Sequence, residues 1–144
     1  MEFLAAIGSI LSGIATTIAI VVAYKVHQNQ KLLSQRQLLL PLWEHMSTLH
    51  KIDTKDPITP DIIKVVNTLE LVALCCEGGM IDESVIRRTF RDQFIMHYDE
   101  VKKCQTIPGL SVDGESLLKQ NKAATEFYHL LEKERLSQDR IPRP

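Results

Sequence analysis

The chain has 144 residues, which suffices for one modest domain once an apolar N-terminal segment is set aside. Its 17 basic and 18 acidic residues leave a net charge of −1, so no overall field attracts nucleic acid or an anionic surface. The three cysteines lack the spacing of a zinc site or a disulfide framework. We therefore expect reduced, buried thiols in a reducing compartment.

The first feature along the chain is an apolar run without charge over residues 3–24. As a helix, this run extends about 33 Å, close to the thickness of the hydrocarbon core of a bilayer. A lone segment in lipid must be helical, because its backbone polar groups have no other partners. We predict a transmembrane helix over residues 3–24. A cleaved signal peptide is the alternative, disfavoured by Glu2 and by the length of the run.

The charges that flank this run give its predicted orientation. Lys25, Lys31 and Arg36 follow it, whereas Glu2 is the one charged side chain that precedes it. The positive-inside rule then places the N-terminus outside and the C-terminal domain in the cytoplasm.

Small residues recur every four positions along two ridges of the predicted span. They are Ala5, Gly8, Ser9, Ser12, Gly13, Thr16 and Thr17. This spacing lets helix backbones approach closely, which favours association with other copies of the chain. In a ring of copies the four hydroxyls would line a narrow polar pore. The alternative is that they bond back to carbonyls of their own helix.

Residues 25–40 are predicted to form a juxtamembrane helix, since they contain neither glycine nor proline. Two apolar sets repeat every seven positions, namely Val26, Leu33 and Leu40, and Leu32, Leu39 and Met46. This repeat favours a short parallel coiled coil. A single helix docked on its own domain is the alternative. Pro41 marks a kink or a fresh start of helix.

Residues 41–137 are interpreted as a cytoplasmic helical domain, followed by a disordered tail over 138–144. Apolar periodicity predicts helices that end near residues 52, 77, 104 and 137. Because no segment alternates at period two, the predicted fold class is all-α. It comprises a transmembrane helix, a juxtamembrane helix and a small helical bundle, in a homo-oligomer.

Asn67 and Glu70 fall on the most apolar of these predicted helices, three residues apart. Buried polar groups need hydrogen-bond partners. Glu70 is therefore expected either to be held by Arg87 or Arg88 across a helix pair, or to contact a ligand together with Asn67.

A basic cluster is the candidate ligand site. Its members are Arg87, Arg88, Arg91, Lys102 and Lys103. In an oligomer each copy repeats the cluster, and a ring of arginines suits an anionic nucleotide or oligonucleotide. The alternative is a solvated charged face, on which Arg88 pairs with Asp92 four residues later.

Catalytic signatures are absent from the sequence. It contains no P-loop, no nucleophile elbow, no zinc-protease motif and no dinucleotide fingerprint, and its five histidines lack ligand spacing. We predict a protein that is not an enzyme and that uses neither a metal nor a cofactor.

The chain resembles an uncharacterised family of bacterial single-span membrane proteins with a small helical cytoplasmic domain of unknown function. The resemblance lies in Leu42-Trp43, Val66-Asn67-Thr68-Leu69-Glu70-Leu71-Val72-Ala73, Gly79-x-Ile81-Asp82, Val85-Ile86-Arg87 and Phe90-x-Asp92. It covers roughly residues 26–104, and Cys76 stands where the family pattern has an aromatic residue. The resemblance implies a fold and a bacterial source, and it implies no activity. Together with the predicted span, a bacterial source makes the inner membrane the expected location.

By architecture the chain also looks like prokaryotic antiviral effectors that couple a membrane-spanning oligomer to a cytosolic nucleotide sensor. The predicted function is that of a homo-oligomeric inner-membrane protein whose cytoplasmic domain senses a ligand or partner and controls the span, as a gated pore-forming effector. The alternative is a membrane-anchored adaptor that tethers a cytosolic protein and conducts no ions. Predicted partners are other copies, the lipid bilayer, and an anionic nucleotide or oligonucleotide or a cytosolic protein.

Overall fold

The computed structural model describes the backbone of residues 2–139 and the surroundings of the side chains of residues 16–137. Every regular element in this part of the chain is a helix, as the all-α prediction expects. The helices are α1 (Glu2–Ser47), α2 (Thr59–Glu77), α3 (Glu83–Thr89), α4 (Arg91–Lys102), α5 (Gly114–Gln120) and α6 (Lys122–Asp139).

The chain divides into two units between Gln37 and Leu38. The first unit holds most of α1, and the second holds the end of α1 together with α2 to α6. Of the predicted disordered tail, residues 138 and 139 belong to α6, and residues 140–144 lie outside the described part of the chain.

The predicted transmembrane helix is corrected by the structure. Within the described residues, no helix combines the length and the apolar character that a bilayer crossing requires. α1 is 46 residues long, but no stretch of its described residues has the sustained apolar character that a hydrocarbon core of about 30 Å requires. The predictions of a span over 3–24, of an inner-membrane location and of an ion channel are contradicted by this finding.

The small residues that were predicted to pack the span are mostly outside the described side chains. Those outside are Ala5, Gly8, Ser9, Ser12 and Gly13. Thr16 and Thr17 are described, and both are exposed on α1. Without a supported span, these residues no longer define a pore.

α1 continues through Pro41, where the sequence predicts a kink or a fresh start. The helix contains this proline and ends at Ser47, before the end predicted at Ile52. Leu42 and Met46 lie one turn apart and are both buried. The last turns of α1 therefore belong to the core of the second unit.

α2 is the central helix of the second unit, as its apolar sequence predicts. It packs mainly against α6 and α4. Its buried residues include Ile62, Val65, Val66, Leu69, Val72 and Ala73. These residues form one buried face of α2, which lies against the core of the bundle.

Each of the two predicted C-terminal helices is split by one residue. Phe90 separates α3 from α4 with φ −122° and ψ −1°, and its buried ring lies 5.3 Å from the ring of Trp43. Asn121 separates α5 from α6 with φ −98° and ψ 81°, and its side-chain amide donates to the carbonyl of Leu117. Apolar periodicity continues across both breaks, so the sequence pattern does not reveal them.

Two helix ends coincide with a local chemical signal in the sequence. Asp82 caps α3, because its carboxylate accepts the N–H of Ser84 at 2.9 Å. α2 is followed by Gly79, whose φ of +64° is a conformation that glycine adopts readily. At the start of α2, Thr59 lies inside the helix and does not cap it, and its hydroxyl donates to the carbonyl of Pro108 at 2.5 Å.

Candidate functional site

The three arginines of the predicted cluster face one open depression of about 580 Å³ between α3 and α6. Its lining residues are Ser84, Arg87, Arg88, Arg91, Glu134 and Ser137. The volume falls within the range of about 300–1,000 Å³ that is typical of small-molecule sites. The helical spacing of the arginines explains why the sequence alone identified this part of the surface.

Arg87 is held by two carboxylates. Glu83 lies one turn earlier on α3, and Glu134 lies on α6. Opposite ends of the guanidinium group donate to the two acids, so the side chain fastens α3 to α6. Because its charge is already compensated, Arg87 acts here as a structural clamp.

Arg88 is exposed and forms no ion pair with any residue that the structure describes. The predicted pairing with Asp92 is not made, because Asp92 accepts instead from Nε of Arg91 at 3.1 Å. Arg88 therefore presents its full charge to the depression, with the half-buried Arg91 beside it.

The two lysines of the predicted cluster lie apart from the arginines. Lys102 is the last residue of α4, about 16 Å along the helix from Arg91 at about 1.5 Å per residue. Lys103 lines a different depression. The five predicted cations thus divide between two places on the surface.

Asn67 and Glu70, three residues apart on α2, differ in burial, and neither lines the depression of the arginines. Asn67 is exposed, whereas Glu70 is half-buried. The carboxylate of Glu70 accepts the N–H of Ala124 at 2.8 Å. Ala124 lies in the first turn of α6, where N–H groups lack intrahelical partners. Glu70 thus caps α6, a contact that takes the place of the predicted pairing with Arg87 or Arg88.

A second open depression, of about 640 Å³, was not predicted from the sequence. It lies between α4 and the connector from α1 to α2, whose residues are more than forty positions apart along the chain. Its lining residues are Lys51, Ile52, Asp53, Thr54, Met96, Asp99, Glu100 and Lys103. No local motif joins the two segments, so only their packing brings these side chains together.

Glu100 and His97 form a buried polar pair beside this second depression. Glu100 is 7% exposed and His97 is 1% exposed. Nδ1 of His97 lies 3.3 Å from Oε2 of Glu100, and the same oxygen accepts the N–H of Ile52 at 3.2 Å. Burial lowers the pKa of His97 from 6.5, an effect that the charge of Glu100 partly opposes. His97 is therefore neutral at pH 7.

The three cysteines are free thiols. Burial raises the pKa of each, that of Cys76 to about 12. A protonated thiol is a poor nucleophile and a poor metal ligand. Among the described residues, no group of histidines, cysteines and carboxylates is arranged to hold a metal ion.

Comparison with known proteins gives one family match. A family described as a domain of unknown function, DUF4760, matches residues 10–106 of the chain. The matched region contains α2, α3 and α4, whereas α5 and α6 lie beyond it. No curated protein and no solved structure matches the chain. The expected resemblance to an uncharacterised family is confirmed to that extent.

Proposed function

Since the chain belongs to the DUF4760 family, which supplies no activity, we propose a function from the chain's own surfaces. In this proposal the protein is a non-catalytic, homo-oligomeric binding module. Copies associate through α1, and the helices that follow bind an anionic ligand.

The exposure of α1 is the observation that supports assembly. From Thr16 to Ser34, every side chain is exposed. The large apolar side chains among them are Ile18, Ile20, Val21, Val22, Tyr24, Val26, Leu32 and Leu33. An apolar patch of this extent marks an interaction surface, because its burial contributes about 25 cal/mol per Å². A second copy of α1 offers apolar side chains of matching spacing.

The two heptad sets of α1 differ in their surroundings. Leu39 packs against the core of the second unit, and Met46 is buried within it. Val26, Leu33 and Leu40 all remain exposed, whereas Leu32 is the one exposed member of the other set. The exposed set is therefore the one available to a partner helix, as the coiled-coil interpretation requires.

Charge along the exposed set is only partly suited to a parallel pair of copies, because with Val26 at position a, Arg36 takes position d and faces the same arginine of the second copy. In the heptad that places Val26 at position a, Lys25 takes position g and Gln30 takes position e. These positions meet across a parallel pair, so each lysine lies beside a neutral amide rather than beside another lysine.

The assembly role is tested with the double substitution Val26→Gln and Leu33→Gln, compared with Ser34→Gln, which changes a neighbouring exposed position. We expect the unaltered protein to form a defined oligomer by native mass spectrometry and light scattering. The double variant should raise the dissociation constant more than about tenfold, because each buried aliphatic side chain contributes about 1.5–3 kcal/mol. A protein that is monomeric at all concentrations, or that enters lipid vesicles without self-association, would contradict the assembly role.

The depression between α3 and α6 supports the ligand-binding role. Arg88 offers a guanidinium group, which binds phosphate oxygens in pairs, and Ser84 adds a hydroxyl donor. Arg91, whose Nε donates to Asp92, adds positive charge beside them. Glu134 repels an anion less than its charge suggests, because Arg87 already compensates it. The ligand proposed here is a nucleotide or short oligonucleotide.

The ligand role is tested by titrating the full chain with nucleoside triphosphates and short oligonucleotides. Arg88→Gln should weaken binding about tenfold, since a charge-assisted hydrogen bond to phosphate is lost. Lys102→Gln removes an exposed cation elsewhere on α4 and should leave binding unchanged. If the two variants bound these ligands with equal affinity, Arg88 would not be part of the binding site.

An adaptor is the second candidate, favoured by the charge of α1. Residues 16–37 carry three cations, Lys25, Lys31 and Arg36, and no acid. Such a helix also suits an acidic, amphipathic helix of a different protein. A complex of fixed composition with that protein, replacing the homo-oligomer in native mass spectrometry, would favour the adaptor.

A further inference from the structure

We propose that the depression between α4 and the α1–α2 connector binds a small zwitterion that carries one ammonium and one carboxylate group, such as an amino acid. This site contains neither the arginines nor residues of α1, so the test of this proposal is independent of the test of the proposed function.

Charges of both signs line this depression without pairing with each other. Lys51 and Lys103 are exposed, and neither forms an ion pair with a described residue. Carboxylates of Asp53, Asp99 and Glu100 line the same space. A ligand with separated charges satisfies both sets at once, whereas a simple anion or cation would be repelled by one of them.

The carboxylates are held in place by contacts on one oxygen each. Asp99 accepts from the hydroxyl of Tyr128 at 2.7 Å through Oδ1. Glu100 accepts from the backbone N–H of Ile52 through Oε2. The second oxygen of each acid carries no hydrogen bond from a described residue. Groups fixed in this way bind a ligand with little loss of conformational freedom.

Glu100 is the strongest anchor for the ammonium group. It is more than nine-tenths buried, so its attraction for a cation is screened less than that of a surface acid. Its neighbour His97 is neutral at pH 7 and does not cancel this charge. Lys51 and Lys103 then hold the carboxylate of the ligand, and Met96 offers an apolar surface to the chain between the two groups.

A metal ion does not fit the same space. Among the described residues, no group of three or more histidines, cysteines or carboxylates is arranged to hold a metal ion, and two lysines line the depression. The volume of about 640 Å³ suits an organic molecule rather than a single ion.

The site is tested by isothermal titration of the full chain with α-amino acids and with ω-amino acids up to 6-aminohexanoate. Hexylamine and hexanoate serve as ligands with one charge each. We expect saturable binding of at least one zwitterion, at least about tenfold tighter than binding of either ligand with a single charge, because hydrogen bonds to charged groups form at both ends.

Two adjacent lysines provide a matched pair of variants. Lys103→Gln should weaken binding of that zwitterion about tenfold, whereas Lys102→Gln, which changes an exposed residue outside the depression, should not. Glu100→Gln keeps an acceptor for Ile52 and should abolish binding while the thermal transition persists. Absence of saturable binding to any zwitterion, equal binding of hexylamine, or equal effects of the two lysine variants would overturn the site.

Discussion

Glu70 stabilises a helix that begins fifty residues further along the chain. Asn121 precedes α6, the position where a side chain usually caps a helix, but its amide donates backwards to Leu117. The carboxylate of Glu70 instead caps the first turn of α6, where it accepts a hydrogen bond from the backbone N–H of Ala124. A capping contact between distant segments fixes the relative positions of α2 and α6 as well as the helix end.

Removal of this cap has a predictable cost. Glu70→Ala should lower the free energy of unfolding by about 1 kcal/mol, the usual value of an N-cap, whereas Glu70→Gln keeps an acceptor oxygen and should cost less. Urea unfolding followed by circular dichroism measures both.

Asn67→Ala is the control for this prediction, since Asn67 is exposed on the same helix. Its effect should stay within about 0.5 kcal/mol. A loss for Asn67→Ala as large as that for Glu70→Ala would show that Glu70 contributes no capping.

At the scale of secondary-structure elements, the sequence predicts those helix ends that are determined by residues close to them along the chain. Asp82 caps α3 with its own side chain, Gly79 follows α2 in a conformation that glycine favours, and α2 ends at Glu77, where the apolar pattern predicts it. The break at Phe90 depends on packing against Trp43, which no local pattern contains. The apolar character of α2 predicted its central position for the same local reason.

The residues of the candidate sites likewise fall into those that local sequence groups together and those that only tertiary packing brings together. The arginines of α3 and α4 were predictable because helical spacing groups them, but Glu134 joins them only through packing of α6. The second depression unites Lys51 with Lys103 through tertiary contacts alone. The membrane interpretation was wrong because it took an apolar run in the sequence as a span, whereas no helix among the described residues has the length and apolar character of one.

At Gly114, the junction between α4 and α5 leaves no room for a larger side chain. A Cβ at this position would lie 1.8 Å from the carbonyl oxygen of Val101, and the N–H of Gly114 donates to the carbonyl of Cys104 at 2.8 Å. Gly114→Ala should therefore lower the free energy of unfolding by about 3 kcal/mol, because the backbone of α4 must move.

Gly79→Ala is the matched control. Its φ of +64° strains an alanine, at a cost of about 1 kcal/mol, but no heavy atom lies within 4 Å of the added Cβ. Thermal unfolding of the two variants compares the stability lost through a steric clash, at Gly114, with the stability lost through backbone strain alone, at Gly79. A smaller loss for Gly114→Ala than for Gly79→Ala would contradict the close approach of α5 to α4.

At the scale of the whole molecule, the two units differ in how their apolar side chains are covered. In the second unit, side chains such as Phe94 and Leu131 are fully buried by the chain itself. In the first unit, large side chains such as Ile20 and Leu33 are exposed. The second unit therefore derives its stability from its own core, whereas the exposed apolar side chains of the first unit contribute no such burial within the chain.

His97 couples the stability of this core to pH. Because burial lowers its pKa below 6.5, the folded protein binds a proton at His97 less readily than the unfolded chain does. Above about pH 6.5 neither state binds the proton, and His97 adds no pH dependence. As the pH falls below that value, the unfolded chain is protonated first. Stability should then decrease, with a slope of up to about 1.4 kcal/mol per pH unit until the pKa of the folded state is reached.

Urea unfolding between pH 7.5 and pH 5 measures this decrease. His97→Gln removes the titrating group, so its stability should depend less steeply on pH below 6.5, whatever its stability at pH 7.5. His129→Gln changes an exposed histidine on α6 and should keep the slope of the unaltered protein. If the His97 and His129 variants share one slope, the acid sensitivity of the core arises from groups other than this buried imidazole.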